Sequence, residues 1–215
     1  MDRALTRSPP PIILSGMRAA VALLVVLTAA GPSAAEAQAD FYARLGLTGA
    51  TKLLKDDILQ QIEVRQSLAP TLALGVSVPF TPLYGVGLEA TVTSSGFHST
   101  ESGSQTDLGT LRTGSIMLGL DGPVWRQLRW RAGAGLLSYW PAEKRGIFLK
   151  GGSTRFLVGA GLDYQRPVFP QWDLMVSLRY DFHRFTTDEL VNRGFSGTQG
   201  VQRVSASVGL ARGRR

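Results

Sequence analysis

Between Leu128 and Leu136 apolar residues alternate strictly with arginine or glycine. Leu128, Trp130, Ala132, Ala134 and Leu136 hold the even positions; Arg129, Arg131, Gly133 and Gly135 hold the odd ones. Successive side chains of a β-strand point to opposite faces, so this segment predicts a strand with one apolar and one polar face. The same parity returns at Phe156-Val158-Ala160-Leu162-Tyr164, at Trp172-Leu174-Val176-Leu178-Tyr180-Phe182, and at Val204-Ala206-Val208-Leu210. Extended along the chain, the pattern predicts eight strands over about 41–51, 69–80, 83–97, 107–120, 128–140, 153–166, 172–185 and 201–212.

The connections alternate in length. Three are short and turn-like: Phe80-Thr81-Pro82, Asp121 to Gln127, and Pro167 to Gln171. Four are longer and polar: 52–68, 98–106, 141–152 and 186–200. An even strand count then puts both chain ends on the short-turn side. The segment 52–68 is ambiguous. Leu54, Ile58 and Ile62 have helical spacing, while Ile58, Ile62 and Val64 also fit a strand; we read it as a strand extending beyond the barrel.

Alternation alone does not say which face is inside. A soluble barrel would bury the apolar face and wet the polar one. Three features oppose this. All four lysines (Lys52, Lys55, Lys144, Lys150) lie in the long connections and none in a predicted strand. The polar face is rich in glycine, at Gly46, Gly75, Gly85, Gly87, Gly119, Gly133, Gly135, Gly159, Gly161 and Gly209. Glycine weakens an exposed strand but suits backbones crowded inside a narrow barrel. The strand charges on that face also come in both signs. Arg44, Arg129, Arg131, Arg155, Arg179 and Arg203 accompany Glu89, Asp163, Asp173 and Asp181. Arginine suits desolvated, bidentate pairing with carboxylates, so these ten residues are the expected lumen charge network. Near the long-loop end, Arg155, Asp181 and Arg203 fall at similar counted heights on three successive strands and are expected to cluster.

The apolar face is graded. Phe80, Tyr84, Trp130, Tyr164 and Trp172 lie near the short-turn ends, and Phe97, Trp140, Phe156 and Phe182 near the long-loop ends. Leu, Val, Ile and Ala fill the middle. Two aromatic girdles around an aliphatic band fit a bilayer. Arg112 breaks the scheme: it has apolar-face parity, so it sits high enough to reach the membrane edge or follows a bulge.

The N-terminus reads as an export signal. Met17-Arg18 starts a positive region, Ala19 to Ala30 is an apolar run, and Ala37-Gln38-Ala39 offers a cleavage site before Asp40. The expected organisation is an upstream tail or misassigned start over 1–16, a secretory signal peptide over 17–39, and a barrel over 40–215. Residues 1–39 carry three of the 23 Lys+Arg and two of the 16 Asp+Glu, so the net charge falls from +7 to +6 on their removal. The arginines lie on strand faces and no nucleic-acid-reading motif appears, so anionic lipid headgroups are expected in place of nucleic acid. Cysteine is absent, which excludes disulfides and thiolate metal sites.

Candidate chemistry is sparse. His98 lies beside Ser95, Ser99, Thr100 and Glu101 in a connection, and His183 has inward parity. Ser138 has outward parity with no histidine identifiable beside it, as a lipid-facing esterase would need. Asp56-Asp57 and Asp188-Glu189 read as solvated loop charge and not as a cation site. No catalytic residue, cofactor or metal is expected. An eight-stranded ring is just wide enough for side chains to fill, so paired arginines inside exclude an open pore.

The alternation, even strand count, loop asymmetry and girdles together resemble the small eight-stranded outer-membrane barrels of the outer-membrane protein A and X type. The resemblance covers about 40–215. It implies an all-β, eight-stranded antiparallel up-and-down transmembrane β-barrel in the outer membrane. It also implies outer-membrane lipids as partners, delivery by periplasmic chaperones and the barrel-assembly machinery, and a monomer. The implied role is structural or surface-interacting, through four loops. A lipid A deacylase-like enzyme and a soluble lipocalin-like carrier are the alternatives. One departure is the C-terminus. Such barrels often end in an aromatic residue, whereas this chain ends Leu210-Ala211-Arg212-Gly213-Arg214-Arg215.

Overall fold

The computed structural model describes residues 39–51, 53–56, 62–101, 104–143, 148, 152–187, 191–192 and 199–212. The expected tail and signal lie outside these residues, except for Ala39, as do Asp57, Asp188 and Glu189. The described strands are β1 (Asp40–Ala50), β2 (Leu54–Asp56), β3 (Ile62–Gln66), β4 (Ala69–Pro79), β5 (Gly85–Glu101), β6 (Ser104–Trp125), β7 (Leu128–Pro141), β8 (Ser153–Phe169), β9 (Trp172–Phe185) and β10 (Gln199–Arg212).

Eight of them form a closed antiparallel ring. The order runs β5-β4-β1-β10-β9-β8-β7-β6, and β5 pairs β6 to close it. β3 also pairs with β5, beyond the end of β4, and β2 pairs with β3. The strand reading of 52–68 therefore holds for its described residues. Closure leaves no edge inside the ring, the only way a sheet satisfies every backbone group in lipid.

The ring is strongly sheared. One ladder of partners runs from Phe41 through Val76, Leu88, Leu118, Ala134, Val158, Phe182 and Gln202. It returns to β1 at Thr51, whose amide bonds the Gln202 carbonyl, ten residues above its start. Such a stagger tilts the strands by about 40° and narrows the interior. Glycines meet the crowding. A Cβ on Gly119 would lie 2.8 Å from the Ala132 carbonyl oxygen, and one on Gly133 would lie 2.8 Å from the Gly119 Cα.

Three connections differ from the sequence reading. The segment 98–106 is not a loop: β5 runs to Glu101 and β6 starts at Ser104, so the hairpin projects past the ring. Asp121 to Trp125 belong to β6, which leaves only Arg126-Gln127 as the turn. Likewise β8 runs through Pro167 to Phe169, and the turn is Pro170-Gln171. In the last two, backbone pairing continues across residues with turn chemistry, through a register shift at Pro123/Trp125 and at Pro167/Phe169.

The apolar face points out. Leu118 is 61% exposed, Ile116 56% and Phe156 64%, and Leu45, Leu72, Val92, Leu136, Val176, Leu178, Val204 and Val208 are exposed with them. This band encircles the ring and exceeds any apolar patch that a soluble monomer tolerates. On β9 the outward series from Trp172 to Phe182 is apolar at every position. The 12 residue steps from Trp172 to Arg184 span about 30 Å of height at ~3.3 Å per step and a ~40° tilt.

The top of the interior is apolar. Leu53, Val64, Phe97, Leu108, Leu111, Leu137, Tyr139, Phe148, Leu157, Phe185 and Val201 form one buried cluster there. Phe148 packs edge-on against Phe97 and Phe185, with ring centroids 5.9 and 6.0 Å apart.

Candidate functional site

The interior is filled in layers. At the short-turn end Asp121 on β6 takes hydrogen bonds from Arg129 on β7 and Ser77 on β4, both at 2.5 Å. A cavity of about 350 Å³ lies at this mouth, lined by Asp40, Asp121, Asp173, Arg126, Arg129 and Arg131 among others. Above it sits the densest layer. Glu89 on β5 is 4% exposed and takes bonds from Arg44, from Arg179, from Arg131 at 3.0 Å and from the Tyr42 hydroxyl at 2.7 Å. Asp163 on β8 takes Arg131 at 2.9 Å, Arg44 at 3.4 Å and the Ser177 hydroxyl. Asp181 on β9 takes Arg179 at 2.7 Å.

Three guanidinium groups thus meet three carboxylates in mid-lumen, on strands from around the ring. Charge-assisted bonds of this kind are about twice as strong as neutral ones. Closed on one another, the charges leave water-sized gaps of about 10 Å³ beside Met117 and Arg131. Tyr42, which sequence reasoning passed over, is central. Its ring lies under the Arg44 and Arg131 guanidinium carbons at 5.0 and 4.4 Å. Its parity with Arg44 and Gly46 was the signal that could have found it.

The expected Arg155–Asp181–Arg203 cluster does not form. Asp181 turns to Arg179. Arg155 donates to the Thr186 carbonyl, with Nε at 3.1 Å. Arg203 lies opposite Asp181 but donates to the hydroxyls of Thr113 at 3.1 Å and Thr93 at 3.4 Å. Shear is the reason. The β8–β9 ladder sets Gly159, not Arg155, opposite Asp181, and carries Arg155 four residues above it. His183 is buried and bonded to the Tyr139 hydroxyl at 2.5 Å. His98 stands in β5, 3.7 Å from Asp107. Ser138 bonds the Thr154 hydroxyl at 2.8 Å. Among the described residues no group of three metal-ligating side chains occurs.

On the outside, Phe80, Tyr84, Tyr164 and Trp172 are exposed near the short turns, and Trp140 and Phe156 near the other end; Trp130 and Phe182 are half-buried. Phe97 is the exception. It is fully buried inside, because its odd position keeps the inward parity of Glu89, Thr93 and Ser95 on β5. At the level of Arg112 the outer face turns mostly polar, with Thr51, Ser94, Ser138, Thr154, Arg184 and Gln202 at matching positions and Leu68 and Trp140 as apolar exceptions.

No protein-family model matches the chain, and no curated protein matches it by sequence. Solved structures do. Neisserial surface protein A (NspA) superposes with a TM-score of 0.53 at 13% identity, over 81% of this chain and 96% of that one. Outer membrane protein AlkL, whose structure was determined in lipid bilayers, superposes at 0.51 with 14% identity, over 85% and 93%. The fold is that of an outer-membrane-type β-barrel. An outer-membrane-type barrel has its apolar girth outside and its polar groups within, and this ring has both.

Proposed function

We propose that the protein is an integral outer-membrane β-barrel with a filled polar lumen, acting as a structural or surface-interacting element and not as a catalyst. The single observation that carries this reading is a ring of exposed aliphatic residues around an interior whose charges pair with one another. A soluble carrier requires the reverse arrangement, with an apolar cavity inside and a polar exterior. Transport through the ring is opposed by the Glu89 layer and by the aromatic cluster above it. An outward-facing esterase is opposed by Ser138, whose hydroxyl partner is Thr154 and not a histidine.

In this reading the short turns face the periplasm, and the β5–β6 hairpin with β2 and β3 projects outside. The family of outer-membrane proteins A and X is the expected kinship. Outer-membrane lipids are the immediate partners, chaperones and the barrel-assembly machinery deliver the chain, and the barrel works as a monomer. The aromatic residues at the two margins anchor it at the headgroups. Export would remove the chain up to Ala39. Two measurements test the proposal. Refolded protein in detergent migrates differently on gels before and after boiling, and planar-bilayer recording shows no steady large conductance. A mobility independent of heating, or a stable open channel, refutes it.

A further inference from the structure

Arg112 and Arg184 share one height on the outer face. The ladder from Leu118 through Ala134 and Val158 reaches Phe182. Arg112 stands six residues above Leu118 on β6, and Arg184 stands two above Phe182 on β9. The difference of four residues is what three strand steps contribute in a ring that climbs ten residues in eight strands. Both side chains are exposed. Below them the outer positions are apolar: Gly114 and Ile116 under Arg112, Phe182 and Tyr180 under Arg184. Trp140, directly opposite Arg112, folds its ring over Gly114, and Ser94 is opposite on the other side.

An arginine here cannot turn inward, because the strand parity fixes its direction. It meets the first polar layer above the hydrocarbon. A guanidinium presents a planar fork that matches phosphate in a bidentate manner, and a neighbouring serine hydroxyl adds a third donor. Resting on the orientation proposed above, that layer is the outer leaflet, whose glycolipid carries phosphates on its sugar headgroup. We infer that Arg112 with Ser94, and separately Arg184, are binding positions for the headgroup phosphates of lipid A on two facets of the barrel. The sites take a phosphorylated glycolipid and not a free anion, because the flanking surface is an apolar wall that acyl chains cover.

The test uses the refolded mature protein in zwitterionic detergent. Diphosphorylated lipid A and its dephosphorylated form are titrated, and bound copies are counted by native mass spectrometry. Wild type is expected to retain the phosphorylated form alone. Arg112→Gln and Arg184→Gln should each weaken retention about tenfold, or about 1.4 kcal/mol. Arg112→Lys, which keeps the charge but loses the fork, should fall between. Arg166→Gln, an exposed arginine near the short-turn end, should match wild type. Undiminished binding in the Arg112→Gln/Arg184→Gln double variant overturns the inference, as does equal loss in Arg166→Gln. Heat-dependent gel mobility is read on every sample. Its absence in wild type refutes the barrel reading, whereas a folded wild type indifferent to lipid A refutes the lipid site alone.

Discussion

Glu89 is the residue on which the lumen turns. It accepts from Arg44, Arg131, Arg179 and Tyr42 in a site almost closed to solvent. Glu89→Ala leaves Arg44 and Arg131 sharing Asp163, and Arg179 with Asp181. Three buried guanidinium groups then face two carboxylates, and one positive charge is uncompensated. Removing one partner of a buried ion pair costs about 3–5 kcal/mol. That is a large share of the ~5–15 kcal/mol by which domains of ordinary size are stable. Glu89→Gln keeps the shape and the Tyr42 bond, so it should cost less than Glu89→Ala. Adding Arg179→Met to Glu89→Gln restores the charge balance, and the two changes should couple favourably by about 1–3 kcal/mol. Urea titration of barrels folded in phospholipid vesicles, read by heat-dependent mobility, gives each value. A loss below about 1 kcal/mol for Glu89→Ala, or strict additivity in the double variant, would refute the view that these charges are desolvated and interdependent.

Other expectations follow from the same geometry. Val176→Arg, pointing outward in mid-band, should cost about 2–4 kcal/mol in a bilayer, and Thr154→Arg, at the polar ring, about 0–1 kcal/mol; equal costs in vesicle unfolding would mean that the band is misplaced. Gly133→Val should fail to fold or lose well over ~3 kcal/mol, since its side chain would enter the Gly119 backbone; a wild-type folding yield would contradict the packing. Phe148→Ala should destabilise the upper apolar cluster by about 3 kcal/mol and speed amide exchange in Tyr139 and Phe185; unchanged exchange would show that Phe148 does not cap it. Mass spectrometry of the exported protein should find Asp40 as the first residue, and a retained apolar segment would contradict the signal reading.

Much of this fold was legible because the period of a strand is two residues and this chain keeps it with few breaks. β7, β9 and β10 stand where alternation placed them, and Arg44, Glu89 and Asp163 carry inward parity that could be counted. Most of what escaped depends on neighbouring strands. The shear of ten residues carries Arg155 four residues above Asp181, where it meets Thr186, and no single strand encodes that. Phe97 was misplaced because an aromatic ring near the long-loop end reads as a girdle residue, although its odd position shares the inward parity of Glu89 and Ser95. The hairpin at 98–106 reads as loop because Ser, Thr and Gly serve equally in strands that project into water. The apolar upper lumen did leave a trace, in the inward positions of Leu111, Leu137, Tyr139, Leu157 and Val201. It was outweighed by the arginines and glycines on the same face.

The central claim is that one face of each strand meets lipid while the other is sealed inside. The chain has no cysteine, so single cysteines carrying a nitroxide label can be placed at each position from Leu174 to Phe182 without background. Collision rates with oxygen, which enters bilayers, and with a water-soluble nickel chelate are then measured in vesicles. The structure predicts high oxygen and low nickel accessibility at Leu174, Val176, Leu178, Tyr180 and Phe182, with both low at Met175, Ser177, Arg179 and Asp181. Nickel accessibility at the second set would mean a water-filled pore, and an absence of alternation would mean that β9 does not cross the membrane.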